Sequence, residues 1–290
     1  MSWNFDEEVG PVADLSLDTF AIAQALETVD LVRRIFAFEE IDSTSRWLAR
    51  FADKCASSAS VHGVLVVADY QTAGKGRHER PWLAPRGKAL LFSLGLSERP
   101  KFLQNIVAES QSVMEHYLSL IVPLAVVEAV REETNLDIAV KFPNDVVIRD
   151  RKLAGILIEK LSRFGDAYAV GIGLNVNQDR SELPEKTHLP ATSLTIETGK
   201  TWARTVLLER ICKRLDWWWS RGNLSLAVRK MNEVCRTVGR EVRVDLGDEL
   251  IEGTAMGISE QGALVVRTLS GTLRELYSGD IVELSNASTL

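Results

Sequence analysis

The 290-residue sequence predicts an α+β protein in two parts, a large unit mixing strands with helices and a small all-β unit at the C-terminus. Its length exceeds the ~100–200 residues of one ordinary domain. Apolar runs of strand length alternate with helical patterns to about residue 237. From Gly239 onward, short strand-like runs are separated by glycine-bearing turns, a spacing suited to a small barrel. The expected boundaries are residues 1–34 for an N-terminal extension, 35–237 for the larger unit and 238–290 for the smaller.

Hydrophobic residues make up 46% and charged residues 26%, the balance of a soluble protein with a sizeable core. A net charge of −6 argues against a general nucleic-acid binder. Cys55, Cys212 and Cys235 lie far apart and the four histidines are scattered, which disfavours a metal cage or disulfide framework and fits a reducing cytosol. The acidic start MSWNFDEEVG is unlike a signal peptide. No run approaches ~18 uninterrupted apolar residues, Leu118–Val130 being broken by Pro123 and Glu128. A cytoplasmic protein without a membrane partner is expected.

Near the N-terminus, Leu17–Arg34 is amphipathic, with Asp18 placed to cap a helix and Phe20, Ala23, Leu26 and Leu31 on its apolar side. It is too short for a winged helix-turn-helix domain and brings no basic recognition helix, so DNA is not an expected partner. Ile35–Ile41 reads as a strand, and Asp42-Ser43-Thr44-Ser45 leads into a helix patterned on Trp47, Leu48 and Phe51. Ser and Thr there are ordinary N-caps. Hydroxyls and amides at a helix start can equally hold a polar ligand group.

The strand His62–Ala68 delivers the chain to Ala68–Pro85, ADYQTAGKGRHERPWLAP. Gly74 and Gly76 let the backbone turn tightly, while Lys75, Arg77 and Arg80 bring three cations opposed by Glu79 alone. Pro81-Trp82 closes the loop with an apolar anchor. Such a cluster in an acidic protein suits a small anion; a solvated surface turn has the same composition.

Lys88–Leu96 is the next strand, and Phe102–Ser119 and Pro123–Thr134 read as two helices with Pro123 in the first turn of the second. Ile138–Phe142 is a short strand ending in Lys141-Phe142-Pro143-Asn144-Asp145, and Val146–Ile148 is strand-like again. Pro-Asn-Asp makes a turn by itself, yet the unit also brings a cation, an amide and a carboxylate to a strand end. Lys152–Lys160 and Ala167–Ile172 resemble antiparallel strands joined near Gly165-Asp166. Gly155 in the first, with Gly171, Gly173 and Asn175 in GIGLNVN, invites close approach of a ligand or a second backbone. Gln178–Pro190 is a loop, Trp202–Trp219 and Leu224–Val234 are helices, and the Trp217-Trp218-Trp219 run is expected to pack between the two units. Strands over Glu241–Val244, Ile251–Ile258, Ala263–Thr268, Thr272–Leu276 and Ile281–Leu284 complete the chain.

Laid out in this order, the chain resembles the biotin protein ligases from about Phe38 to Leu284. Four blocks carry the resemblance: DST at Asp42–Thr44, GKGRHERPW at Gly74–Trp82, KFPNDVV…RKLAGILIE across Lys141–Glu159, and GIGLNVN at Gly171–Asn177. The resemblance implies a mixed sheet flanked by helices, the fold shared by biotin and lipoate ligases, followed by an SH3-like β-barrel. It implies the form without a DNA-binding domain. Biotin and MgATP would give biotinoyl-5′-AMP and pyrophosphate, and biotin would then pass to one lysine of a biotin carboxyl carrier protein, that of acetyl-CoA carboxylase foremost.

By the same resemblance Ser43, Thr44 and Gln71 bond the biotin ureido head, while Gly155, Gly171 and Gly173 leave room for its rings. Lys75, Gly76 and Arg77 fold across bicycle and adenylate, Arg80 lies near the phosphates, and Lys152 touches the biotin carboxylate and α-phosphate. Asn144 and Asp145 serve the nucleotide and Mg²⁺, with Asp145 as the metal ligand, and Asn175 serves the ATP phosphates. Ser45, Gly74 and Trp82 complete the binding set; Lys152, Arg77 and Asp145 are the catalytic candidates.

Two departures from the family pattern stand out. Lys75 replaces the arginine of GRGRxxRxW, keeping the charge without the planar fork. Phe142 replaces the tryptophan of KWPND. Family members use a sheet edge both for self-association and for carrier docking, so a homodimer stays open. A lipoate ligase, sharing the fold, and a non-catalytic biotin sensor are the alternatives.

Overall fold

A strand whose side chains all enter protein interior must be covered on both faces, and Val64–Ala68 is such a strand. Leu65 and Val67 join the main core while Val64 and Val66 join a smaller one. The computed structural model describes residues 17–100, 102, 110–161, 164, 167–185, 189–277 and 279–284. The larger unit is built on strands β1 (Arg34–Phe38), β2 (Val64–Ala68), β3 (Ala89–Leu96), β4 (Ile138–Lys141), β5 (Asp145–Ile148), β6 (Arg151–Lys160) and β7 (Tyr168–Asn175). They form one mixed sheet in the order β1-β2-β3-β7-β6-β5-β4. The pair β1–β2 is parallel and every other pair is antiparallel.

Helix α1 (Thr19–Ala25) precedes the sheet, and α2 (Thr44–Lys54) makes the crossover between the parallel pair. α2 covers one face through Leu48 and Ala52, backed by Trp47 stacked on Phe51 at 5.3 Å. The other face is covered by α3 (Ser110–Thr134) and α5 (Arg204–Arg221), while α4 (Leu194–Thr198) and α6 (Leu224–Val234) complete the α-helices among the described residues. Beyond them β8 (Glu241–Asp245), β9 (Leu250–Ile258), β10 (Leu264–Thr268), β11 (Leu273–Leu276) and β12 (Asp280–Glu283) form an antiparallel sheet in the order β11-β10-β9-β8-β12. The architecture is the mixed sheet with flanking helices and the SH3-like C-terminal unit that the sequence implied. Cys55, Cys212 and Cys235 are buried and free.

Four details differ from the sequence reading. α1 is short, Asp18 caps it, and its buried side is Ile22 followed by Leu26; Phe20 is 75% exposed and Ala23 is exposed. The two expected helices around Pro123 are one continuous α3 over the described part. A mid-helix proline costs about 3 kcal/mol, but each fully buried aliphatic side chain returns about 1.5–3 kcal/mol, and Leu120, Ile121, Val122, Leu124, Val126 and Val127 are all buried there. Val113–Thr134 is long and apolar enough to cross a membrane, yet most of it is buried against the sheet and α5, as a core helix is. The tryptophan triplet packs inside the larger unit rather than between units, Trp218 Nε1 donating to Glu128 and Tyr117 Oη donating to the Trp218 carbonyl. Fourth, α4 has no counterpart in the sequence reading. The proposed helix start after Phe102 and the Gly165-Asp166 hairpin tip lie outside the described residues.

One buried ion pair ties this scaffold to the loop that follows β2. Arg204, fully buried at the start of α5, donates from Nη1 to Asp69 Oδ1 at 2.8 Å and to the Ala89 carbonyl at 3.2 Å. Its Nε and Nη2 have no partner, so the pair is held by surroundings rather than by full satisfaction. Arg204→Ala strands the Asp69 carboxylate and should cost about 3–5 kcal/mol by chemical denaturation, whereas Arg204→Met with Asp69→Leu should cost far less.

Candidate active site

Strand pairing strips one patch of the sheet of side chains. On the face that α2 only partly covers, β3–β7 pairing sets Ser93 opposite Gly171, and β6–β7 pairing sets Gly155 opposite Gly173. Period-two alternation sends the intervening Val170, Ile172 and Leu174 into the main core, so β7 turns Gly171 and Gly173 outward here, with Leu157 opposite Gly171 at the cavity wall. The N-terminus of α2, the loop after β2, the 141–145 turn and the edge of the C-terminal sheet surround this patch. They enclose a cavity of about 960 Å³, counting its open mouth.

At one end of the cavity sits a hydroxyl network. Gln71 Oε1 accepts from the Thr44 amide at 2.7 Å and from Thr44 Oγ1 at 3.1 Å. Ser93 Oγ lies 2.7 Å from Thr44 Oγ1 and 2.9 Å from Ser45 Oγ. Ser43 caps α2 through a long 3.4 Å bond from the Arg46 amide, so it serves the helix and lines the cavity at once. A Cβ on Gly171 would stand 2.8 Å from Ser45 Oγ, which is why that position is bare.

The loop after β2 is a small hairpin. Gly74 and Trp82 share a hydrogen bond, as do Gly76 and Arg80, and a 3₁₀ turn at Arg77–Glu79 forms the tip with His78 and Glu79 at positive φ. Each loop cation has an oxygen partner. Lys75 pairs with Glu159 at 2.8 Å and Glu79 at 3.1 Å, and the Glu159 bond raises its pKa. Arg77 donates to Asn144 Oδ1 and to the Gly279 carbonyl, both at 3.3 Å, and burial lowers its pKa. Arg80 pairs with Asp280.

Trp82 lies over the bare patch. A Cβ would stand 2.8 Å from the indole at Gly155 and 2.6 Å from it at Gly173, so the absence of side chains there makes room for Trp82. The indole Nε1 is buried without a partner, and Lys152 Nζ lies 5.6 Å from the ring centroid. Trp82 also walls a neighbouring cavity that holds Asn175, with Arg80, Asp145 and Lys152 shared between the two.

Lys152 and Asp145 meet across β5–β6, where a bulge shifts the register beside Val146 and Val147. Lys152 Nζ forms an ion pair with the buried Asp145 Oδ1 at 2.6 Å. No cluster of three metal-ligating side chains exists among the described residues, but a nucleotide-bound Mg²⁺ needs only one or two carboxylates besides phosphate and water. The Asp145 carboxylate at the cavity wall is a ligand of that kind. Asn144 uses both ends of its amide, Oδ1 accepting from Arg77 and Nδ2 donating to the Ile156 carbonyl at 2.9 Å.

These residues also have a match among known proteins. Residues 37–177 match the family model described as Biotin/lipoate A/B protein ligase family, and residues 237–282 match Biotin protein ligase C terminal domain. The chain is 32% identical over 240 residues to the biotin–[acetyl-CoA-carboxylase] ligase of Mycobacterium tuberculosis, covering 80% of this chain and 83% of that one. This chain belongs to the biotin protein ligases. Among solved structures, the Aquifex aeolicus biotin protein ligase in complex with biotin and ATP aligns at a TM-score of 0.68 and 32% identity, covering 86% of this ligase chain and 98% of the other. The Leishmania major enzyme in complex with biotinyl-5-AMP aligns at 0.53 and 26%, covering 84% and 98%.

Within this ligase the structure brings Ser43, Thr44, Ser45, Gln71, Lys75, Gly76, Arg77, Arg80, Trp82, Asn144, Asp145, Lys152, Gly155, Gly171 and Gly173 to one cavity. Gly74 and Asn175 stand outside it. Gly74 closes the hairpin, where a Cβ would meet the Trp82 carbonyl at 2.8 Å. Asn175 is buried with both ends of its amide used, on the Thr192 carbonyl at 3.0 Å and by Gln178 at 2.8 Å. Lys141, noted in the sequence as a cation at a strand end but given no role, lines the cavity with its pKa lowered by burial, and the sequence reading missed Asp280 at the cavity wall and Ser93, a lone hydroxyl in an apolar strand. These residue types stand in the sequence, but the sequence does not say which face or which distant partner a side chain takes. Gly173→Ala should dislodge the indole, seen as faster trypsin cleavage after Lys75 and Arg77 in the ligand-free protein.

Proposed function

We propose that the chain activates biotin with MgATP and transfers it to one lysine of a biotin carboxyl carrier protein. The observation that carries this reading is the joining, in one cavity, of a neutral hydroxyl–amide end at Ser43–Ser45 and Gln71 with an ionic end at Arg77, Asp145 and Lys152. Biotin has that shape of polarity, a neutral ureido head and an anionic tail. The hydroxyls and the Gln71 amide take the head; Lys152 takes the carboxylate.

In the first step a biotin carboxylate oxygen attacks the α-phosphorus of ATP, the bond to the β-phosphate oxygen breaks, and pyrophosphate leaves. Two anions are pressed together, and Lys152, Arg77 and Lys141 offset their repulsion. Asp145 would hold Mg²⁺, which would supply charge neutralisation to the phosphates. The acyl-adenylate is a mixed anhydride that water destroys, so the Gly74–Trp82 hairpin has to stay closed over it. In the second step the carrier lysine amine attacks the acyl carbon, the bond to AMP breaks, and the nitrogen gives up its proton.

The carrier docks on β6. Its N-terminal half pairs with β5, but pairing ends at Gly155 and Ile156, and among the described residues no strand pairs with the outer edge from Leu157 to Glu159. An extended segment of a carrier can add there by main-chain hydrogen bonds. Self-association through this edge, giving a homodimer, is the competing use. The net charge of −6 favours a ligase without a DNA partner.

Mass spectrometry of a biotin carboxyl carrier domain, incubated with the protein, MgATP and equal biotin and lipoate, should show one biotinyl group on one lysine. A lipoyl adduct, or none, would count against the reading. Lys152→Ala should lower biotin-dependent pyrophosphate release by about 10²-fold or more. Arg77→Ala should instead leave release substantial while labelling becomes less selective, because the adenylate escapes.

A further inference from the structure

We propose that Asp280, at the start of β12 in the C-terminal sheet, is a displaceable internal anion for the basic loop: in the ligand-free chain it holds Arg80, and a nucleotide phosphate takes that guanidinium from it. The proposal rests on the reading above that phosphates reach Arg80. Asp280 is a positioning residue, acting on the reaction only through the loop.

Several observations meet at this point. Asp280 lines the main cavity, pairs with Arg80, and lies 3.5 Å from His78 Nε2. Its neighbour Gly279 accepts a 3.3 Å bond from Arg77 through its carbonyl. The tip of the hairpin is thus gripped at two points by a sheet about 200 residues further along the chain. Lys75, at the base of the hairpin, is held by Glu159 of β6 and by Glu79 of the tip itself. The base is thus anchored to the larger unit, while the tip is shared, Arg77 also donating to Asn144 and Glu79 lying 3.6 Å from Arg46 of α2.

The pair is suited to exchange. The Arg80 and Asp280 side chains are 58% and 33% exposed, and ion pairs in such water-rich surroundings are worth no more than a few-fold in an equilibrium constant. That suffices to bias an otherwise solvated hairpin toward one position. A polyphosphate carries more charge and several acceptor oxygens for the same guanidinium fork, so it outcompetes one carboxylate. The time Arg80 spends on Asp280 is subtracted from its availability to ATP, so the hold lowers apparent ATP affinity while keeping the loop ordered before binding. Asp280 also adds a negative charge at the cavity wall, and the test has to separate that plain repulsion from the hold.

The experiment uses the full chain with Asp280→Asn, Asp280→Glu, Arg80→Ala and the double variant Arg80→Ala/Asp280→Asn. Hydrogen exchange across residues 74–82 without ligand should accelerate in Asp280→Asn and stay near wild type in Asp280→Glu, which also guards against a folding defect at this position. MgATP affinity by calorimetry, and its KM in biotin-dependent pyrophosphate release, should tighten about two- to five-fold in Asp280→Asn with kcat little changed. That gain should vanish in the Arg80→Ala background. Equal tightening in both backgrounds would mean simple repulsion and overturn the hold, as would unchanged exchange or weaker ATP binding in Asp280→Asn. If exchange and ATP affinity shift as expected but the wild type biotinylates nothing, the functional reading fails and the hold stands. ATP binding absent from every variant, with or without biotin, overturns both.

Discussion

Five cationic side chains, Lys75, Arg77, Arg80, Lys141 and Lys152, face one cavity in an otherwise acidic protein, and their mutual repulsion is the constraint on which the site depends. Without a ligand each has to be offset locally or desolvated at a cost. Lys75 is offset by Glu159 and Glu79, Arg80 by Asp280, Lys152 by Asp145, and Arg77 by carbonyl oxygens of Asn144 and Gly279. Lys141 is the exception: with charged neighbours of both signs, burial dominates and pulls its pKa down.

That constraint explains why the basic loop is not a free flap. It is a hairpin with each of its cations on a protein oxygen, and its anchor Trp82 lies on the sheet where Gly155 and Gly173 are paired. The glycines, the indole and Lys152 form one packed unit, and the unpartnered indole Nε1 within it marks a donor left without an acceptor by the protein itself. Removing side chains from two adjacent strands therefore does two jobs, making a floor for the cavity and a seat for the loop that roofs it.

The C-terminal sheet belongs to the same economy of charge. Arg77 and Arg80 reach across to Gly279 and Asp280, while Thr237, just before the C-terminal sheet, accepts from the Phe142 amide at 3.1 Å and donates to Glu283 at 3.2 Å. Both the loop and the KFPND turn thus take part of their position from the C-terminal end of the chain. A small antiparallel sheet distant in sequence is in this way a wall of the site.

Periodicity and signature blocks were enough to read the strands and the C-terminal sheet, because alternation and turn chemistry act over a few residues. The same local rules named most of the cavity wall, since glycines, cations and hydroxyls clustered in sequence also cluster in space when they sit on adjacent strand ends. Where the sequence misled, a distant contact had overridden a local preference. Burial kept Pro123 inside one helix, docking chose Ile22 over Phe20 as the buried face of α1, and the tryptophans packed on α3. The sequence by itself determined which chemical groups are present and on which elements they ride; which oxygen each cation holds, that Trp82 rather than open space covers the glycines, and that Asp280 reaches Arg80 were decided by tertiary structure. Electrostatic partners and packing contacts depend on distances in space, and residues 80 and 280 acquire one only when the two sheets are set side by side.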